Sequence, residues 1–135
     1  MFNKIDKDTI QNINLFEKIT RAKVKNYFEN NGILNFIVED REIGKAIGKD
    51  ASNIRRLSDL FKKKIRIIEY NSDPVNFFKK LIYPLKPQEI NFNNSCIEVN
   101  ADTKTKALLI GRNQKNLKIY NDILNHYFKV SLKIR

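Results

Sequence analysis

A chain of 135 residues holds one ordinary domain, or two very small ones that share an interface. Its hydrophobic fraction of 41% and charged fraction of 30% fit a globular chain and exclude a disordered one. No apolar run approaches the roughly 18 residues that a membrane span needs. Against 15 acids, the 26 lysines and arginines leave a net charge of +11, which favours a polyanionic partner, chiefly nucleic acid.

The basic excess is spread along the chain. Up to Tyr70, 15 bases and 10 acids leave +5, and after it 11 bases and 5 acids leave +6. The opening Met1-Phe2-Asn3-Lys4-Ile5-Asp6 has no apolar signal-peptide core, so a cytoplasmic location is expected. One cysteine, Cys96, cannot form an internal disulfide, in keeping with a reducing compartment. Within the strand-like run Cys96-Ile97-Glu98-Val99 it reads as a small buried apolar residue.

In chain order, residues 8–21 form the first amphipathic helix, with Ile10, Ile13, Phe16 and Ile19 on one stripe beside Leu15. Residues 22–28 and 33–38 read as strands joined across Glu29-Asn30-Asn31-Gly32, where Asn-Gly is a strong hairpin signal. A short helix over 42–47, a turn at 48–51 and a helix over 52–62 follow, the last burying Ile54, Leu57, Leu60 and Phe61. Residues 64–70 close the unit as a strand, with Ile65 and Ile67 on one side.

After Ser72, Asp73 caps a helix and Pro74 takes its first position. That helix carries Val75, Phe78, Leu81 and Ile82, and Pro84 and Pro87 stop it. Strands over 88–92 and 96–100 flank an Asn93-Asn94-Ser95 turn. Asp102 caps a helix to Ile110, and a turn over 111–114 leads to a long helix over 115–128 with Leu117, Ile123, Leu124 and Phe128 inward. Residues 129–135 form the last strand.

Both halves therefore read helix, strand, strand, helix, tight turn, helix, strand. Gly111 follows Gly48 by 63 positions, and the same shift takes Ile47 to Ile110, Lys49 to Arg112 and Asp50 to Asn113. It also takes Asn53 to Asn116 and Ile54 to Leu117. Such a repeat is stronger than any single motif.

The matched segments are Ala46-Ile47-Gly48-Lys49-Asp50-Ala51-Ser52-Asn53-Ile54 and Leu109-Ile110-Gly111-Arg112-Asn113-Gln114-Lys115-Asn116-Leu117. Each resembles the KH signature, Ile-Gly-x-x-Gly-x-x-Ile, set between two helices. In that family the loop clamps the backbone of about four nucleotides. Glycine lets the main chain approach phosphate, the following helix offers free N–H groups, and basic side chains add charge.

The element order resembles the prokaryotic, type II KH arrangement. The fold class expected is α+β, with KH modules over residues 1–72 and 73–135, each a three-stranded sheet packed with helices. Two such modules in tandem are similar to the archaeal NusA-like transcription factors. The opening helix with Phe16-Glu17-Lys18-Ile19-Thr20 and the stretches Ile67-Ile68-Glu69-Tyr70-Asn71-Ser72-Asp73-Pro74 and Ala107-Leu108-Leu109-Ile110-Gly111-Arg112-Asn113 agree with them too. The resemblance implies binding of single-stranded nascent RNA near RNA polymerase, in transcription elongation or termination.

On this reading Ile47, Ile54, Ile110 and Leu117 wall the base grooves, while Gly48, Lys49, Gly111, Arg112 and Lys115 handle phosphate. Asp50, Ala51, Asn53, Asn113, Gln114 and Asn116 complete the RNA-binding set. Arg55 and Arg56, early in the motif helix, are phosphate contacts, whereas Lys62, Lys63 and Lys64 suit the helix C-terminus. Each loop keeps its first glycine and replaces the second, by Ala51 and Gln114. Alanine is a mild change there if φ is negative, as its junction with a helix suggests. Glutamine is bulkier. Asp50 offsets Lys49, while the second loop is purely basic.

Tyr27, Phe28, Phe36, Tyr120 and Tyr127 read as core aromatics rather than base-stacking platforms. His126 has no metal-ligand companions at usable spacing, and no catalytic constellation can be assembled. The chain is expected to be a monomer without cofactor, metal or enzymatic activity. Two alternatives stand beside RNA binding in transcription. One is a KH-fold scaffold binding protein on polymerase or the ribosome, and the other is a ribosome-associated KH protein.

Overall fold

A computed structural model describes residues 7–135. The Met1–Asp6 segment, read above for a targeting signal, lies outside the described residues. The described chain divides into two compact units, residues 7–70 and 71–135, each with its own three-stranded sheet.

In the first unit α1 spans Lys7–Thr20. It ends because Arg21 turns left-handed (φ 61°), its N–H donating to the Glu17 carbonyl at 2.8 Å. The Thr20 hydroxyl then caps the exit, donating to Phe16 O (2.9 Å) and accepting from Ala22 N–H (3.0 Å). Ala22, expected in the first strand, instead sits in this link and is buried.

Strand β1 (Val24–Asn30) pairs antiparallel with β2 (Ile33–Val38) across Asn31-Gly32. Both turn residues have positive φ (53° and 74°), which the right-handed twist of a two-residue hairpin demands. The chain continues through α2 (Ile43–Ile47), a turn at Lys49–Ala51 and α3 (Ser52–Phe61). It returns as β3 (Lys64–Glu69), parallel to β2, from Ile33↔Lys64 to Val38↔Glu69. A helical crossover is what a parallel pair requires.

Helices α1, α2 and α3 contribute Phe16, Ala46 and Leu57 to a core completed by Leu34, Phe36, Val38 and Ile65 from the sheet. Phe16 stacks on Phe36 with ring centroids 4.2 Å apart. Ile54, Phe61, Ile67 and Tyr27 pack around this cluster. Two expected core positions are not in it: Leu60 is 52% exposed and Ile10 47%. Apolar period marks the inward stripe but not how far the facing surface extends.

The second unit repeats the plan. Asp73 caps α4 (Pro74–Ile82), accepting from Asn76 N–H at 3.0 Å, with Pro74 in the first turn. Strands β4 (Glu89–Asn93) and β5 (Cys96–Asn100) form an antiparallel hairpin over Asn94-Ser95. Asp102 caps α5 (Thr103–Ile110), the turn Arg112–Gln114 follows, and α6 (Lys115–Phe128) leads to β6 (Ser131–Ile134), parallel to β5. Phe77, Phe78, Leu81, Ile97, Val99, Leu109, Ile123 and Leu124 are buried. Phe77, which carries no signal in the sequence pattern above, lies edge-on to Tyr127 at 5.9 Å.

Candidate nucleic-acid interface

The expected loop segments fold alike. Helix α2 ends because Gly48 leaves helical space at φ 77°, ψ 169°, and α5 ends at Gly111 with φ 75°, ψ 171°. Only glycine occupies that region readily. Each glycine N–H still closes its helix, Gly48 to Gly44 O (3.0 Å) and Gly111 to Ala107 O (2.9 Å). The chain then makes one tight turn, closed by Ala51 N–H on Gly48 O and Gln114 N–H on Gly111 O, both 3.2 Å.

The turn overturns one expectation. Ala51 is a mild replacement only if its φ is negative, and it lies at φ 58°, ψ 26°. Gln114 lies at φ 61°, ψ 23°. Each follows another left-handed residue, Asp50 (φ 54°) or Asn113 (φ 55°). Helical geometry begins only at Ser52 and Lys115. In both loops the chain passes between its two helices through two consecutive left-handed steps. An L-residue makes each at a cost of roughly 1–2 kcal/mol, eased for Asp and Asn by their short polar side chains.

The side chains at this turn are open to solvent. Lys49, Asp50, Arg55 and Arg56 are exposed in the first unit, and Arg112, Asn113, Gln114 and Lys115 in the second. Gly48, Ala51, Asn53, Gly111 and Asn116 are half-buried. So are Ile47, Ile54, Ile110 and Leu117, the expected groove walls, and Ile54 also packs on the first core. Neither Ala51 nor Gln114 caps its helix with a side chain. The first turns of α3 and α6 therefore keep the positive end that attracts an anion.

Electrostatics separates the two loops. Over residues 47–56 three bases meet one acid, whereas over the matching 110–119 there are three bases and no acid. The third of these, Lys118, is absent from the set expected from sequence. It lies 63 positions after Arg55 and is exposed on α6. Extending the repeat one residue past Leu117 finds it. Lys45, before the first loop, is held by Glu42 at 3.0 Å. That ion pair, with the Lys23 N–H, keeps the Glu42 carboxyl below its usual value. Lys63 binds Glu29 at 2.8 Å, which raises its own pKa and fits its structural reading.

Asn53 and Asn116, both assigned to RNA contact from sequence, have their side-chain amides turned back across the loop. Asn53 Nδ2 donates to Lys45 O at 2.8 Å and Asn116 Nδ2 to Leu108 O at 3.0 Å. A Cβ on Gly48 would stand 2.9 Å from Asn53 Cγ and Nδ2, and one on Gly111 2.8 Å from the same atoms of Asn116. Among the described residues, no group of three or more His, Cys, Asp or Glu is placed to hold a metal ion. No helix of the described residues is long and apolar enough to cross a membrane.

No protein-family model matches the chain. It is 32% identical over 118 residues to the probable transcription termination protein NusA of Methanococcus vannielii, covering 84% of this chain and 68% of that one. The proteins of the same name from Thermoplasma acidophilum and Methanocaldococcus jannaschii are 25% and 27% identical. Those alignments cover 94% and 95% of this chain, and 91% and 72% of the relatives. The crystal structure of APE1850 aligns with a TM-score of 0.70 at 28% identity, over 97% of this chain and all of that one. With a relative this similar over two thirds of its length, the chain belongs to the family of archaeal NusA-like transcription termination proteins.

Proposed function

We propose that this protein binds single-stranded nascent RNA close to RNA polymerase, through two type II KH modules, as a non-enzymatic, monomeric, cytoplasmic transcription factor. The parallel pairing of β3 on β2 and of β6 on β5 supports the type II reading. The observation that carries RNA binding is the duplicated turn: a glycine near φ 76° in both copies, an uncapped helix start and exposed bases around it. Phosphate would approach the main chain at Gly48 and Gly111. Lys49, Arg55 and Arg56 supply charge in the first module, and Arg112, Lys115 and Lys118 in the second. Ile47, Ile54, Ile110 and Leu117 flank the bases.

Fluorescence anisotropy of a labelled mixed-sequence single-stranded RNA tests this across a salt series. Affinity should fall steeply with salt, and replacing Arg112 or Lys115 by Gln should flatten the log–log slope by about 0.7 for each phosphate no longer neutralised. Salt-insensitive or undetectable binding refutes it. The second reading, a scaffold without RNA binding, is favoured by the left-handed Ala51 and Gln114, whose side chains stand where a bare backbone would admit phosphate most closely. Salt-resistant capture of purified RNA polymerase by an RNA-free protein supports that alternative.

A further inference from the structure

Each loop glycine is followed five positions later by an asparagine, and in both units the pair is physically mated. Helix α2 leaves the Lys45 carbonyl without its usual partner, because the chain departs after Gly48 instead of presenting the next helical N–H. Asn53 Nδ2 supplies that donor from the first turn of α3, at 2.8 Å. Shifted by 63 positions, Leu108 O receives Asn116 Nδ2 at 3.0 Å beyond Gly111. The same side chains fill the space over the glycines, where any Cβ would meet them at 2.8–2.9 Å. The glycine therefore serves two ends. It reaches a backbone region closed to other residues, and it leaves room for the amide that ties one helix to the next.

We infer that Asn53 and Asn116 are positioning residues, which hold the loop in its phosphate-accepting shape without contacting RNA themselves. This rests on the RNA-binding reading for its consequence, though not for its geometry. The donor, and not mere bulk, is the requirement. Lys45 O and Leu108 O are acceptors, so a group that can only accept would repel them. Introducing Asp at Gly48 or Gly111 would displace the tie as well as place a charge, so loss of binding in such a variant would not report on phosphate repulsion alone.

The experiment uses the full chain and the labelled mixed-sequence RNA. Asn53→Ala and Asn116→Ala should each weaken binding about fivefold, the value of one missing hydrogen bond, with the salt slope unchanged because every phosphate keeps its basic partner. Asn116→Asp should bind worse than Asn116→Ala near neutral pH. It should recover relative to wild type as the pH falls through the carboxylate range, where the protonated acid can again donate to Leu108 O; the Ala variant should not recover. Hydrogen exchange of the loop amides, measured without RNA, should accelerate in each variant while the sheet amides keep their protection. Unchanged loop exchange in these variants would overturn the inference, as would equal recovery of Asn116→Ala and Asn116→Asp at low pH. RNA binding absent from the wild-type protein, with loop exchange still responding, would refute the functional reading and leave the positioning role standing.

Discussion

Replacing Ala51 and Gln114 by glycine should stabilise this protein, although glycine inside a helix is ordinarily destabilising. Both residues sit at left-handed φ, 58° and 61°. The steric cost of that conformation is roughly 1–2 kcal/mol for an L-residue. Glycine returns about 0.4–1 kcal/mol of this through the greater freedom of its unfolded chain. Ala51 gains slightly more, since glycine is a better residue than alanine at a helix N-cap. The balance lies between about 0 and 1.6 kcal/mol per site, and its centre near 0.8 kcal/mol is worth roughly 3–6 °C in melting temperature for a unit of this size. Thermal and urea unfolding followed by circular dichroism measure it. Lys118→Gly, within α6, is the control of opposite sign, losing on the order of 0.7 kcal/mol because its φ is helical. If Ala51→Gly or Gln114→Gly lost stability as the control does, the two consecutive left-handed steps would be wrong. In the RNA titration, Gln114→Gly should tighten binding more than Ala51→Gly, because it clears the larger side chain from the turn.

Burial sets a second contrast. Leu57 and Leu109 are fully buried, so Leu57→Ala and Leu109→Ala should each cost about 2–5 kcal/mol in chemical unfolding. Their half-exposed neighbours Leu60 and Leu108 should lose far less on the same change, and comparable losses would show that the helix faces are misassigned. A third expectation concerns acid. The Asp102 carboxyl accepts from the Thr105 side chain and N–H and is held below its ordinary value of 3.8. A depressed folded-state pKa gives stability that is present above the unfolded value and lost as pH falls through the folded one. The melting-temperature gap between wild type and Asp102→Asn should therefore be constant near neutrality and shrink on acidification below about pH 4. A gap that widened there would contradict the cap.

Much of the fold was legible because its signals are local. Asn31-Gly32 fixes one hairpin, Asp73-Pro74 starts one helix, and Gly48 and Gly111 stop two others, each through the conformational preference of one or two residues. The 63-residue repeat then converted weak signals into an architecture, and carried one step further it would also have found Lys118. Less legible were features that depend on what each segment packs against. The periodicity of α3 marked Leu60 as inward, yet a helix cannot report where its partner surface ends.

The loops divide in the same way. Sequence alone determined that a glycine-led turn joins two helices twice, because only glycine takes the conformation seen at Gly48 and Gly111. Only tertiary structure decided that Ala51 and Gln114 are left-handed, since neither residue type favours that conformation and its place just before a helix points to a negative φ. It likewise decided that Asn53 and Asn116 face inward across the turn. A side chain's chemistry can be read from its letter, but the acceptor it meets is a carbonyl eight residues away, brought within 3.0 Å only when the chain doubles back.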